Sequence, residues 1–141
     1  EILTFSSLYG SLFSLETTAV KKILIVDDEK EVLTHLTKIL ERFNCEVVSA
    51  ALGKEALKLA RETKPGLIIL DIVLPDIDGG EVAYILAQSP ETAEIPILFL
   101  TGMVTPAETS TKEIIGKHHL MAKPVIPDEL LTVINKVYKY D

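Results

Sequence analysis

The chain has 141 residues, 48% apolar and 25% charged, which suits one globular domain with a buried core. Its net charge is -7, from 21 acidic and 14 basic residues, so composition gives no support for direct binding to nucleic acid or an anionic membrane. Cys45 is the single cysteine, which excludes an internal disulfide and fits a reducing, cytoplasmic setting.

Residues 1–20, EILTFSSLYGSLFSLETTAV, stand apart from the rest. Phe5, Leu8, Tyr9, Leu12 and Phe13 fall on one helical stripe. The segment has no basic n-region, and serines and Gly10 interrupt it, so a secretory signal does not fit. No apolar run reaches the ~20 residues of a membrane span. The segment reads as a tail or as a linker helix, and the second reading extends to a helix that docks on a neighbour. A chain that begins with Glu1 is expected to be a fragment or a processed product.

From Lys21 the pattern becomes regular. KILIV (22–26) predicts a buried strand that runs directly into Asp27, Asp28 and Glu29. Glu29 to Arg42 carries Val32, Leu33, Leu36, Ile39 and Leu40 at helical spacing. CEVVSA (45–50) predicts a second strand, and Gly53 to Thr63 a helix that stops before Pro65-Gly66. LIIL (67–70) is a third strand, again followed by an aspartate, Asp71. Glu81 to Gln88 is a helix after Gly79-Gly80, and IPILFL (95–100) a strand ending at Thr101. Pro106 to Ile115 suits a fourth helix. HLMA (119–122) is a short fifth strand ending at Lys123-Pro124, and Asp128 is expected to cap a last helix that stops near Tyr140.

Strands alternating with helices predict an α/β domain over residues 21–141: a five-stranded parallel sheet with helices on both faces, the (βα)5 flavodoxin-like arrangement. The strands lack apolar/polar alternation, as expected when both faces are covered. Such folds place ligands at the carboxyl ends of the strands. The polar residues there are Asp27, Asp28, Asp71, Thr101 and Lys123.

Each of these has a plain structural explanation. The acidic run suits a helix N-terminus, Asp71 a turn, Thr101 a cap and Lys123 a solvated surface. Together, on one sheet edge, they form a different object: three carboxylates, a hydroxyl and an ammonium. Three close carboxylates need a cation or a proton between them. Oxygen-only donors suit Mg2+, which bridges to phosphoryl oxygens, whereas Cys45 and the surface or strand-entry pair His118-His119 make no zinc cluster. A metal and a lysine beside a carboxylate suit phosphoryl transfer onto that carboxylate.

With these motifs in order, the chain resembles the response-regulator receiver domain of two-component signalling, over about Lys21 to Tyr140. IVDDE, LIILDIVLPDIDGG, LFLTG and MAKP carry the resemblance, with Pro75 four and Gly79 eight positions after Asp71. The resemblance implies that Asp71 is the phosphoacceptor and that Asp28 ligates Mg2+ directly, with Asp27 completing the acidic pocket partly through water. It adds the backbone carbonyl of Val73 as a ligand. Thr101 and Lys123 would bind phosphoryl oxygens, and Pro124, in a cis peptide, would aim the lysine. The implied partner is a histidine kinase or a histidine phosphotransfer protein, and a homodimer is compatible with this reading. The domain would catalyse its own phosphorylation, so "enzyme" fits only in part. No output domain is expected after Asp141, as in a stand-alone regulator or a domain cut from a larger protein.

Two departures stand out. Leu120 occupies a place where receivers often carry Tyr or Phe, and His118-His119 replaces a common acidic pair. Three rivals remain beside this reading. A haloacid-dehalogenase-type phosphatase needs an aspartate where Val73 stands. A flavodoxin-like FMN domain needs a phosphate loop that IVDDEKE would repel. A degenerate receiver would act as a phosphate-independent interaction module, but the pocket residues are complete.

Overall fold

The alternation of apolar runs and amphipathic stretches is realised in a computed structural model that describes residues 21–102, 114–115 and 118–138. The elements are β1 (Lys21–Val26), α1 (Lys30–Arg42), β2 (Cys45–Ala50), α2 (Gly53–Thr63), β3 (Leu67–Asp71), α3 (Gly79–Ala87), β4 (Ile97–Thr101), β5 (Ile114–Ile115), β6 (His118–Ala122) and α4 (Pro127–Tyr138). The sheet order is β2-β1-β3-β4-β6-β5. Five strands are parallel, as expected from the sequence. The two-residue β5 adds an antiparallel edge, pairing Ile114 with His119 and Ile115 with His118.

The tail at residues 1–20 lies outside the described residues, as do residues 106–113 of the expected fourth helix. That helix was expected to include Ile114 and Ile115, and these instead form β5. Two adjacent β-branched residues favour extended backbone, and the free edge of β6 offers them partners. Asp128 does not cap the last helix. Pro127 opens it, and Asp128 and Glu129 sit in its first turn. Proline suits that first position because its missing N–H would have no helical partner there.

Both faces of the sheet are covered. Ile23, Ile25, Leu67, Ile69, Leu98 and Leu100 form one buried cluster with Leu36, Ile39 and Leu40 of α1 and Leu130 and Ile134 of α4. Leu24, Val26, Ile68, Leu70 and Ile97 form a second cluster with Ala56, Leu57 and Ala60 of α2 and Val82 and Leu86 of α3. Successive strand residues point to opposite faces, so the buried stretches of the central strands β1, β3 and β4 are apolar at consecutive positions. Each fully buried Leu or Ile contributes about 1.5–3 kcal/mol.

The strand register sets the site. Val26 pairs with Leu70, so Asp27 lies one step beyond that pair, beside Asp71. Asp71 pairs with Leu100, and Thr101 follows directly. Thr101 pairs with Ala122, which places Lys123 next on the same edge. Three parallel registers thus carry four polar residues to one end of the sheet.

Gly79 closes the loop that follows β3. Its N–H donates to the Ile72 carbonyl at 2.7 Å. A Cβ here would stand 2.5 Å from the Asp71 carbonyl oxygen and 2.9 Å from Ile72 Cα, both backbone atoms. Gly79→Ala should therefore lower unfolding free energy by about 2 kcal/mol. Urea denaturation checks this; an unchanged midpoint would mean that the loop shifts freely.

Candidate functional site

Asp27, Asp71 and Thr101 are buried at the strand ends, with 0%, 5% and 4% of their surface exposed. Asp28 is exposed beside them. One carboxylate oxygen from each of Asp27, Asp28 and Asp71 lies within 4.8 Å of the others. The run Asp27-Asp28-Glu29 does not cap α1. Glu29 occupies the cap position without a side-chain hydrogen bond. Its N–H instead donates to Asp27 Oδ1 at 2.8 Å, which turns the other Asp27 oxygen into the pocket.

Lys123 enters from the opposite side. Its Nζ lies 2.7 Å from Asp27 Oδ2, 3.1 Å from Asp71 Oδ2 and 3.3 Å from Glu29 Oε1. The backbone aims it: the Lys123 N–H donates to the Thr101 carbonyl at 2.9 Å, and the Lys123–Pro124 peptide is cis. Asp71 divides its two oxygens. Oδ1 accepts the Val73 N–H at 3.2 Å, and Oδ2 accepts from Lys123. Val73 stands at the rim with 58% of its surface exposed. Glu29 as a partner of Lys123 was not legible in the sequence, because 94 positions separate the two.

The chain matches the response regulator receiver domain family over residues 23–135. It belongs to that family. It is 42% identical over 110 residues to the alkaline phosphatase synthesis transcriptional regulatory protein PhoP of Bacillus subtilis, covering 78% of this chain and 45% of PhoP. It is 34% identical over 120 residues to protein PilH of Pseudomonas aeruginosa, covering 82% of this chain and 96% of PilH. Among solved structures it resembles the chemotaxis protein CheY4 of Vibrio cholerae, with a TM-score of 0.73 and 29% identity, covering 84% of this chain and 99% of that one. The chain thus spans less than half of one curated relative and nearly all of another.

This receiver domain holds its acidic pocket under electrostatic tension. Burial is the main cause that pushes the Asp27 carboxyl above its usual range, and the Asp71 charge adds to the rise. Lys123 and the Glu29 N–H offset part of it. For Lys123, burial acts to lower the ammonium pKa, but the adjacent carboxylates of Asp27 and Asp71 outweigh it and raise the value. The Lys123–Asp27 contact is close without being well directed, since Asp27 Oδ2 has no aligned hydrogen-bond donor among the described residues.

The donor set fits a hard divalent cation. Asp27, Asp28 and Asp71 cluster three carboxylates, and the Lys123 ammonium contacts Asp27, Asp71 and Glu29. The clustered ligand atoms are all carboxylate oxygens, as Mg2+ prefers. His118 belongs elsewhere: its Nδ1 accepts the Ile97 N–H at 3.0 Å, and its ring meets Phe99 edge-on. No helix among the described residues is long and apolar enough to cross a membrane.

Neutralising Asp27 should stabilise the metal-free fold. A raised pKa means that folding favours the protonated form, so the ionised form weakens the fold once pH rises above 3.8 and through the folded value. Asp27→Asn should raise unfolding free energy at pH 7 by an amount on the order of 1 kcal/mol. The gain should vanish below pH 3.8, where wild type is protonated in both states. Chemical denaturation of both proteins across pH checks this. A variant less stable than wild type at pH 7 would show that the Lys123 ion pair outweighs burial.

Proposed function

We propose that the receiver unit, residues 21–141, accepts a phosphoryl group on Asp71 from a histidine kinase or histidine phosphotransfer protein. The observation that carries this reading is Asp71 itself. It is a buried carboxylate at the end of β3, with Oδ2 3.1 Å from Lys123 Nζ and the acidic pair alongside. Asp28, Asp71 and the Val73 carbonyl would hold Mg2+, with Asp27 completing the acidic pocket. Bound Mg2+ supplies positive charge against the phosphoryl oxygens.

An Asp71 oxygen would attack phosphorus while the bond to the donor's imidazole nitrogen breaks, leaving an acyl phosphate on the chain. Lys123, already bonded to Asp71 Oδ2, is placed to transfer its contact to a phosphoryl oxygen. Thr101, one register step away on β4, would bind another. Burial of the pocket keeps these charges from being screened. Asp27 and Glu29 hold the ammonium at its post in the unmodified state.

Incubation with Mg2+ and acetyl phosphate should add one base-labile phosphoryl group, and Asp71→Asn should abolish it. Mass spectrometry reads the stoichiometry, and undiminished labelling of the variant would move the acceptor elsewhere. The lifetime of the group is a second expectation. Val73 and Met103 stand two positions after Asp71 and Thr101, where receivers border the approach of water to the acyl phosphate. Met103 lies outside the described residues. Val73 is exposed at the rim and offers no side-chain hydrogen bond to an attacking water. Val73→Asn should accelerate phosphoryl loss by more than about twofold, roughly 0.4 kcal/mol of barrier. A smaller change in the decay rate would mean that this side chain does not shield the site.

A further inference from the structure

The loop DIVLPDIDGG carries two aspartates beyond the acceptor, and they do different work. Asp78 caps its own helix: its Oδ1 accepts the Glu81 N–H at 2.8 Å. Asp76 reaches a different helix. Its Oδ1 accepts the Gly53 N–H at 2.8 Å and its Oδ2 accepts the Lys54 N–H at 2.9 Å, at the start of α2. The residue preceding α2 is Leu52, whose side chain makes no cap bond. The cap is therefore supplied from 23 positions away.

Contact between the two segments is close. A Cβ on Gly53 would stand 2.5 Å from Ile77 Cγ1 and 2.9 Å from the Ile77 carbonyl oxygen. The loop is pinned at its base as well, by the Gly79 N–H on Ile72 and the Val73 N–H on Asp71. Only Leu74 and Pro75 separate Val73 from the Asp76 anchor. Leu74 is buried, and proline fixes its own φ and restricts the residue before it. A movement at Asp76 therefore passes along a short, stiff lever to Val73 and Asp71.

We propose that Asp76 is a positioning residue: by bridging Gly53 and Lys54 it holds the β3–α3 loop against α2 and sets the Val73 carbonyl and the Asp71 carboxylate for the cation. This rests on the acidic pocket being the Mg2+ site. The Lys54 N–H is the main cause that pulls the Asp76 carboxyl down to about 2; burial opposes it, and the Gly53 N–H adds to the lowering. The bridge therefore favours the ionised carboxylate, the form that accepts both N–H groups.

Glu55 provides the comparison. It accepts the Ala51 N–H at 3.1 Å and so supports the same helix start through a separate bond. Calorimetric Mg2+ titration of the full chain, with urea denaturation and amide NMR, tests the proposal. Asp76→Ala should raise the Mg2+ dissociation constant by about tenfold, the lower end of the range seen when outer partners of metal ligands are removed, and should shift the Val73 amide resonance. Asp76→Asn, which keeps one acceptor oxygen, should recover a substantial part of the affinity; it also carries the comparison if the alanine variant does not fold. Glu55→Ala should lower the urea midpoint and change the Mg2+ constant by less than about twofold. An unchanged Mg2+ constant in Asp76→Ala, with a lowered midpoint, would overturn the proposal and leave Asp76 as a helix cap alone. Wild type that binds no Mg2+ would instead overturn the reading of the pocket, and this inference with it.

Discussion

Lys123 Nζ lies within 3.3 Å of carboxylate oxygens on Asp27, Glu29 and Asp71. Asp27 and Asp71 are buried, and like charges in a low-dielectric setting repel strongly. One ammonium cannot neutralise these three carboxylates with Asp28 clustered beside two of them. The pocket is stable enough to fold because the ammonium, the Glu29 N–H and the Val73 N–H each satisfy part of it. The remaining negative charge is what a bound divalent cation would offset. The same excess that weakens the metal-free protein makes the pocket a fit for a hard cation.

The sheet makes this pocket affordable. Its strands are buried on both faces, so their ends cannot drift without exposing large apolar surface. Parallel registers carry the ends of β1, β3, β4 and β6 to one edge. Helices on both sides then leave that edge as the place where polar groups meet solvent. The loop after β3 is held by backbone contact at Gly79 and by carboxylates that reach two different helix starts. A rigid scaffold thus holds a group of charges that would disperse if free to move.

The family match and the geometry address different questions. The match over residues 23–135 places the chain among receiver domains. The geometry describes how this chain arranges its own charges. Its particular features include Glu29 on Lys123, His118 bonded to Ile97, and the Asp76 bridge. They arise from which residues occupy loop and strand-entry positions in this sequence.

The fold class was legible in the sequence because burial on both faces leaves a direct trace. Runs such as ILIV and LIIL are uninterrupted by polar residues, and amphipathic stretches separate them. The strand-end residues were legible for the same reason, since each stands where an apolar run stops. Boundaries were less so. Ile114-Ile115 suits a helix or a strand, because two apolar residues fit either period, and pairing with β6 decides the matter. Asp128 has the chemistry of a cap, but local pattern does not say which residue leaves helical geometry first. That burial falls on Asp27 while Asp28 is exposed is invisible in the pair DD. The Glu29–Lys123 and Asp76–Gly53 contacts join residues 94 and 23 positions apart. The sequence by itself determined which chemical groups stand at the strand ends, since that depends on local hydrophobicity. Only the tertiary structure decided how those groups pair, because pairing depends on register and on loops brought together across the chain.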